Sequence, residues 1–210
     1  MLSPDYATLD EGKRYLRIPG LYSGTLNAEE DVNDDIPLAL AITAASRAID
    51  HATNRQFGYL DIATAFDYTV EWSNKLHQAA IAIDDLMDLT DIVVERGGEE
   101  VTDYTFGPMN AIAKGRPYTR IVFDSFSAYP RFLSREEAAV TITAKWGWLT
   151  VPDAIKNATL LQTARFFKRR DAPFGVAGSV ELGSEIRLLA KVDPDVAVML
   201  QSYKRYWGAV

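Results

Sequence analysis

The sequence predicts an α+β fold: a helical bundle core of about four helices, residues 1–58 plus 150–210, carrying an inserted antiparallel β module at 59–149. Three observations predict it. Near both ends of the chain, apolar residues recur at steps of three and four, the period of a helix with one buried face. In the middle the period drops to two, the mark of half-buried strands. The clearest helix punctuation lies at Val151–Gly175, which follows the last alternating stretch. Helices before and after the module must pack together, because none of them buries its stripe alone.

In chain order, Thr8 and Glu11 have the spacing of a capping box and predict a short helix over Leu9–Arg17, ended by Pro19 and Gly20. Tyr22–Asn33 is polar and acidic and reads as a loop. Asp34 and Asp35 read as caps of a second helix with Pro37 in its first turn. Leu38, Ile42, Ala45, Ile49 and Ala52 then form an amphipathic stripe that runs to Thr53 or Arg55. Phe66, Tyr68, Val70 and Trp72 alternate with polar residues and predict one strand. Ala80–Ile83, Asp91–Glu95 and Thr119–Phe123 predict further strands, with a turn at Gly97-Gly98. Val140–Trp146 alternates again and predicts the last, for five or six strands in all.

Pro152 fits the first position of the third helix, where a missing N–H costs nothing. Ala154, Ala158, Leu161 and Ala164 mark its expected buried face, widened by Leu160 and Phe167. Lys168, Arg169 and Arg170 fall in its last turn, beside the carbonyl end, and Asp171, Pro173 and Gly175 stop it. Phe174–Gly183 reads as a Gly-rich connection, and Ser184–Lys191 as a short strand or turn. Asp193 caps a final helix with Pro194 at its first position; Val196, Met199, Leu200, Tyr203 and Trp207 are its apolar residues, and Gly208 ends it.

Composition narrows the function. The apolar content is that of a globular chain with a core. No apolar run is long enough for a membrane span, and MLSPDYATLDEGKR does not have the form of a signal peptide. Without cysteine there is no disulfide, no thiol nucleophile and no Cys-ligated metal, which fits a reducing cytoplasm. The net charge of −7 is uneven: −4 over 1–58, −6 over 59–149 and +3 over 150–210. The acidic two-thirds argues against sequence-specific DNA binding. It is equally compatible with ordinary solvated faces and with separate acidic and basic surfaces.

Little in the chain promises catalysis. Asp84-Asp85-Leu86-Met87-Asp88 matches the DDxxD pattern that holds magnesium in prenyl-diphosphate enzymes. On a helix those carboxylates would share one side and could take a hard cation. Here they follow a strand-like run, so a strand-to-turn acidic cluster is the simpler reading. His51 and His77 are the two histidines and neither has a metal-ligand neighbour at useful spacing. No G-x-S-x-G, P-loop or G-x-G-x-x-G motif occurs. No metal or cofactor is expected. Trp146 and Trp148 are expected to seal the joint between β module and helices. Lys168–Arg170 reads as dipole complement and solvated helix end, or as a contact with an acidic surface of a neighbouring subunit or with nucleic acid backbone. Tyr203, Lys204, Arg205, Tyr206 and Trp207 combine aromatics with cations, which suits either docking on the protein's own core or a partner interface.

Three stretches together resemble the head-to-tail connector (adaptor, or head-completion) family of tailed bacteriophages: YATLDEGKRYLRIPG, DDIPLALAITAASRAIDHATNRQFG and WGWLTVPDAIKNATLLQTARFFKRRDAPFG. The family has a short helix ending in a Leu-Arg-Ile-like step and an acidic-capped, Ala-rich helix ending near Thr-x-Arg-x-Phe. Its long helix enters through Val-Pro and ends in basic residues. Small members have little between the second and third helices, so the β module is an addition. The resemblance implies a non-catalytic virion protein at the capsid–tail junction, assembled in the host bacterial cytoplasm. It implies a ring, usually a dodecamer, below the portal, which extends the DNA channel and contacts the next neck or tail protein. DNA would pass without specific binding, and no membrane is involved. The portal contact would fall on Tyr203, Lys204, Arg205, Tyr206 and Trp207, and subunit contacts on Lys168, Arg169 and Arg170. The alternatives are a magnesium-dependent enzyme using Asp84, Asp85 and Asp88, and a binding protein whose β module recognises a tail protein or glycan.

Overall fold

A computed structural model describes residues 4–16, 28–73, 77–123, 140–170, 176–177, 186–187 and 193–206. Pro19, Gly20, Asp171, Pro173, Gly175, Trp207 and Gly208, on which several expectations rest, lie outside them. The fold is α+β, and the chain divides into two compact units. One is helical (Asp5–Asn54 and Val151–Lys204); the other is built of strands (Met1–Pro4, Arg55–Thr150 and Arg205–Val210).

The helical unit contains α1 (Leu9–Leu16), α2 (Ala28–Thr53), α3 (Asp153–Arg169) and α4 (Pro194–Leu200), plus a two-stranded ribbon, β9 (Val176–Ala177) with β10 (Ile186–Arg187). Thr8 and Glu11 form the expected capping box: the Glu11 N–H donates to Thr8 Oγ1 at 3.2 Å, and the Thr8 N–H donates to Glu11 Oε2 at 2.9 Å. Glu11 also meets Lys156 of α3, and that charged hydrogen bond, followed by the backbone bond at Thr8, holds its carboxyl below the usual range.

The second helix begins earlier than expected. It starts at Ala28 inside the stretch read as a loop, so Pro37 lies in its interior and not in its first turn. The missing N–H at Pro37 removes one rung of the helical ladder. Asp34 and Asp35 do not cap; they reach Arg170 (2.7 Å) and Lys13. The stripe itself is as expected, with Leu38, Ile42, Ala45 and Ile49 buried.

α3 packs against α1, α2 and α4 and is the central helix of this unit. Pro152 immediately precedes its first residue, Asp153. Its buried face differs from the expected one: Ile155, Ala158, Thr159, Gln162 and Thr163 are buried, while Ala154, Leu161 and Ala164 are half-buried. A helix with neighbours on three sides buries most of its circumference, so an apolar stripe alone does not locate the core face. Three of the polar residues in the seam are satisfied locally, while the buried Thr163 hydroxyl has no hydrogen-bond partner. Ser46 Oγ donates to the Ile42 carbonyl, Thr53 Oγ1 to Ile49 and Thr159 Oγ1 to Ile155. Ala7, Leu38 and Ile42 with Leu9, Leu16, Leu160 and Phe167 join helices from both ends of the chain in one apolar cluster.

α4 is shorter than expected. Asp193 caps it, accepting from the Asp195 N–H at 2.9 Å, with Pro194 at its start. It ends at Leu200 and passes into a single 3-10 turn, Gln201–Tyr203.

The β unit holds two four-stranded antiparallel sheets. One has the order β1 (Thr64–Tyr68), β8 (Val140–Ala144), β4 (Val93–Arg96), β5 (Glu99–Glu100). The other has the order β2 (Glu71–Ser73), β3 (Gln78–Leu86), β7 (Tyr118–Phe123), β6 (Tyr104–Gly107). The expected single strand Phe66–Trp72 is therefore two. The chain leaves one sheet at Tyr68 and enters the other at Glu71, because β1 pairs with β8 while β2 pairs with β3. The apolar period of the sequence runs on through Val70 and Trp72 and conceals the switch, but the burial does not follow it: Trp72 is 40% exposed and Ser73 is buried. Asp91–Glu95 becomes Val93–Arg96, and β6 was not anticipated. Ile81, Ile83, Ile121 and Phe123 from one sheet share a core with Val94, Val140, Ile142 and Ala144 from the other.

Candidate functional site

The three aspartates of the DDxxD pattern lie on and just beyond β3, and each meets different partners. The Tyr68 hydroxyl donates to Asp84 Oδ2 at 2.8 Å. Arg55 and the Trp148 indole serve Asp85. The Tyr59 hydroxyl, the Thr90 hydroxyl and the Thr90 N–H all donate to Asp88, at 2.5, 2.7 and 2.9 Å. The one-sided helical arrangement that the DDxxD pattern suggested is absent, because Asp84 and Asp85 belong to a strand. Among the described residues, no group of three or more His, Asp or Glu side chains is placed to hold a metal ion.

Asp88 is held well below the ordinary carboxyl range, at about 2, chiefly by the Thr90 hydroxyl and then by Tyr59 and the Thr90 N–H. These donors favour the ionised form. The folded value lies below the unfolded one, so the stabilisation is present above the unfolded value and is lost as pH falls through about 2. A carboxyl-carbon NMR titration is expected to show Asp88 with a midpoint near that value, and Tyr59→Phe is expected to move the midpoint upward.

The most constrained charge is Asp85. Its side chain is 3% exposed, and one Arg55 guanidinium nitrogen bridges both its oxygens at 2.8 and 3.0 Å. Trp148 Nε1 donates to Oδ2 at 2.8 Å, and Arg205 stands 3.6 Å from Oδ1 with its side chain 10% exposed. Arg205 also donates to the Thr119 carbonyl at 3.1 Å. Burial raises the Asp85 carboxyl, and Arg55, Trp148 and Arg205 oppose that rise. Burial likewise lowers Arg205. Sequence reasoning missed this cluster. Its members stand far apart in the chain, and the one local signal was a charged pair inside an apolar strand run.

Trp146 and Trp148 do not end the last strand, which stops at Ala144, and both are integrated into the β unit. Trp146 stacks on Phe66 and donates to the Thr64 carbonyl at 2.8 Å. Trp148 packs on Phe57. Between them, Gly147 at φ 105° donates its N–H to the Asp85 carbonyl at 2.7 Å.

The residues proposed for contacts are scattered. Tyr203 is half-buried, Lys204 exposed and Arg205 engaged as described; Tyr206 is 77% exposed, and Trp207 lies outside the described residues. Lys168 is exposed and Arg169 half-buried. Arg170 pairs with Asp34 and lies over the Phe167 ring, 4.6 Å from its centroid.

Fold and site together define an α+β protein whose helical unit is made from both ends of the chain and whose β unit has a two-sheet core. The same fold occurs in a structure described as the neck of an empty GTA particle computed with C6 symmetry. The likeness covers 99% of this chain and 98% of that one, with a TM-score of 0.52 at 14% identity. No protein-family model and no curated protein matches the sequence.

Proposed function

We propose that this chain is a structural protein of the neck of a tailed phage or phage-like particle. It forms a ring below the portal, joins capsid to tail and extends the DNA channel. The observation that carries this is the end-to-end likeness to a neck chain. The sequence stretches that resemble connector proteins point the same way independently. A sixfold axis accommodates a ring of six or of twelve copies, and the connector resemblance favours twelve. The net charge of −7 suits a channel through which DNA slides without sticking. In this reading residues 1–58 and 150–210 are the adaptor core and 59–149 an inserted module. The partners are further copies of the chain, the portal and the next neck or tail protein. The protein resides in the virion, is assembled in the host cytoplasm and has no catalytic role. The geometry gives the magnesium reading no support, since Asp84, Asp85 and Asp88 each serve separate partners.

The test is electron microscopy of the purified chain mixed with its portal. The expected result is a ring of added density on the face from which the tail extends; no ring on saturated portals would refute the proposal. Truncation before Asp193 should abolish attachment, but it also removes Arg205 from Asp85. Tyr206→Ala separates the two effects, because Tyr206 is exposed. It is expected to weaken portal binding about tenfold, as loss of an aromatic anchor does, with the melting temperature unchanged.

A further inference from the structure

The loop between β6 and β7 runs from Pro108 to Pro117. It folds on its own backbone: the Ala111 N–H donates to Pro108, Lys114 to Asn110 and Ala111, Gly115 to Ile112, and Arg116 to Ala111. This fixed scaffold turns apolar side chains outward, with Met109 83% and Ile112 37% exposed. Around them stand three cations. Lys114 and Arg116 are exposed on the loop. Arg120 stands at its root, where a Cβ on Gly107 would come within 2.5 Å of Nε, an atom that is buried without a hydrogen-bond partner. Among the described residues, none of the three cations has an ion-pair partner. In a region of net charge −6, an unneutralised basic loop with an exposed methionine is a distinct surface.

The same unit carries a complementary surface. Glu99 and Glu100 form edge strand β5, and Asp103 follows; all three are exposed, and none is in an ion pair among the described residues. The tight turn at Gly97-Gly98, both at positive φ, presents this hairpin. Asp103 and Pro108 flank β6 and stand five residue steps apart, which at about 3.3 Å per residue sets the near ends of the two patches roughly 16 Å apart. One molecule therefore shows a basic apolar patch and an acidic patch at different places. A head-to-tail contact between identical copies requires two such different, complementary patches.

We propose that the β6–β7 loop of one copy docks on the β4–β5 hairpin of the next, with Lys114 and Arg116 facing Glu99, Glu100 and Asp103, so that the β unit contributes the subunit contact of the ring. This rests on the ring reading above. Met109 favours a protein partner over a DNA backbone, because Met and Arg are enriched at protein interfaces while phosphate contacts use cations without apolar companions. Lys168–Arg170 is the weaker candidate for this contact, since Arg170 is tied to Asp34.

Two measurements test the contact. In the first, equal amounts of 14N- and 15N-labelled chain, concentrated at low salt, are treated with a zero-length carbodiimide cross-linker. Mixed-isotope peptides joining Lys114 to Glu99, Glu100 or Asp103 are expected, and their absence overturns the proposal. The second compares variants on portals. Lys114→Glu with Arg116→Glu should abolish rings, as should Glu99→Lys with Glu100→Lys, each with an unchanged thermal transition. All four substitutions in one chain should restore them. Rings from either charge-reversed pair, or no rescue by the fourfold variant, overturn the proposal. So does loss of DNA retention with rings intact, which would assign the loop to phosphates. If cross-links form but the wild-type chain never decorates portals, the neck reading fails and the contact between copies stands.

Discussion

Asp85→Ala is expected to destabilise the protein by about 3–5 kcal/mol, the usual consequence of removing one partner of a buried ion pair. The substitution leaves Arg55 and Arg205 facing each other with their shared counter-charge gone, and it leaves Trp148 Nε1 without its acceptor. Guanidinium groups stay charged at any ordinary pH, so neither can escape the cost by losing a proton. Denaturant unfolding followed by tryptophan fluorescence is the measurement, with Trp148 a local reporter. A loss below about 1 kcal/mol, the scale of an exposed pair, would show that the cluster is solvated. Arg205→Met should cost less, because the closer pair between Arg55 and Asp85 remains.

Gly147→Ala is expected to be comparably severe, at about 4 kcal/mol or more. Two causes combine. At φ 105° any side chain is strained, and a Cβ would lie 1.8 Å from the Gly58 carbonyl oxygen, a backbone atom that cannot rotate away. The nearby ladder would have to open: the Leu60 N–H donates to the Trp146 carbonyl at 2.9 Å, and Gly147 itself bridges to Leu86. Thermal unfolding should fall by about 10 °C or more for a chain of this size. The internal control is Gly98→Ala, which also has positive φ but nothing within 4 Å of its Cβ; its cost should be only about 1 kcal/mol. Equal losses at the two positions would disprove the steric argument.

What the sequence made legible was local. The capping box at Thr8 and Glu11, the stripe from Leu38 to Ile49 and the Asp193 cap depend on residues a few positions apart, and spacing reports them directly. The turn at Gly97-Gly98 and the last strand were legible for the same reason. The beginning of α2 was not, because Pro37 and two aspartates imitate a helix start while the carboxylates serve distant cations. The break between β1 and β2 was hidden because the apolar spacing of the sequence continues through Val70 and Trp72, although Trp72 is exposed and Ser73 is the buried residue of β2. α3 misled in another way: a helix enclosed on three sides no longer advertises its core by apolarity, and Thr159, Gln162 and Thr163 are buried there. The Asp85 cluster was out of reach, since Arg55, Trp148 and Arg205 are brought together only by the finished fold.

The position of Arg205 has a consequence for the order of folding. Arg55 precedes Asp85 by 30 residues, whereas Arg205 follows it by 120. The second arginine reaches the innermost carboxylate of the β unit only by closing the much longer loop, which costs more chain entropy. The Arg55 contact therefore has the shorter route to formation, and Arg205 completes the cluster through a long-range closure.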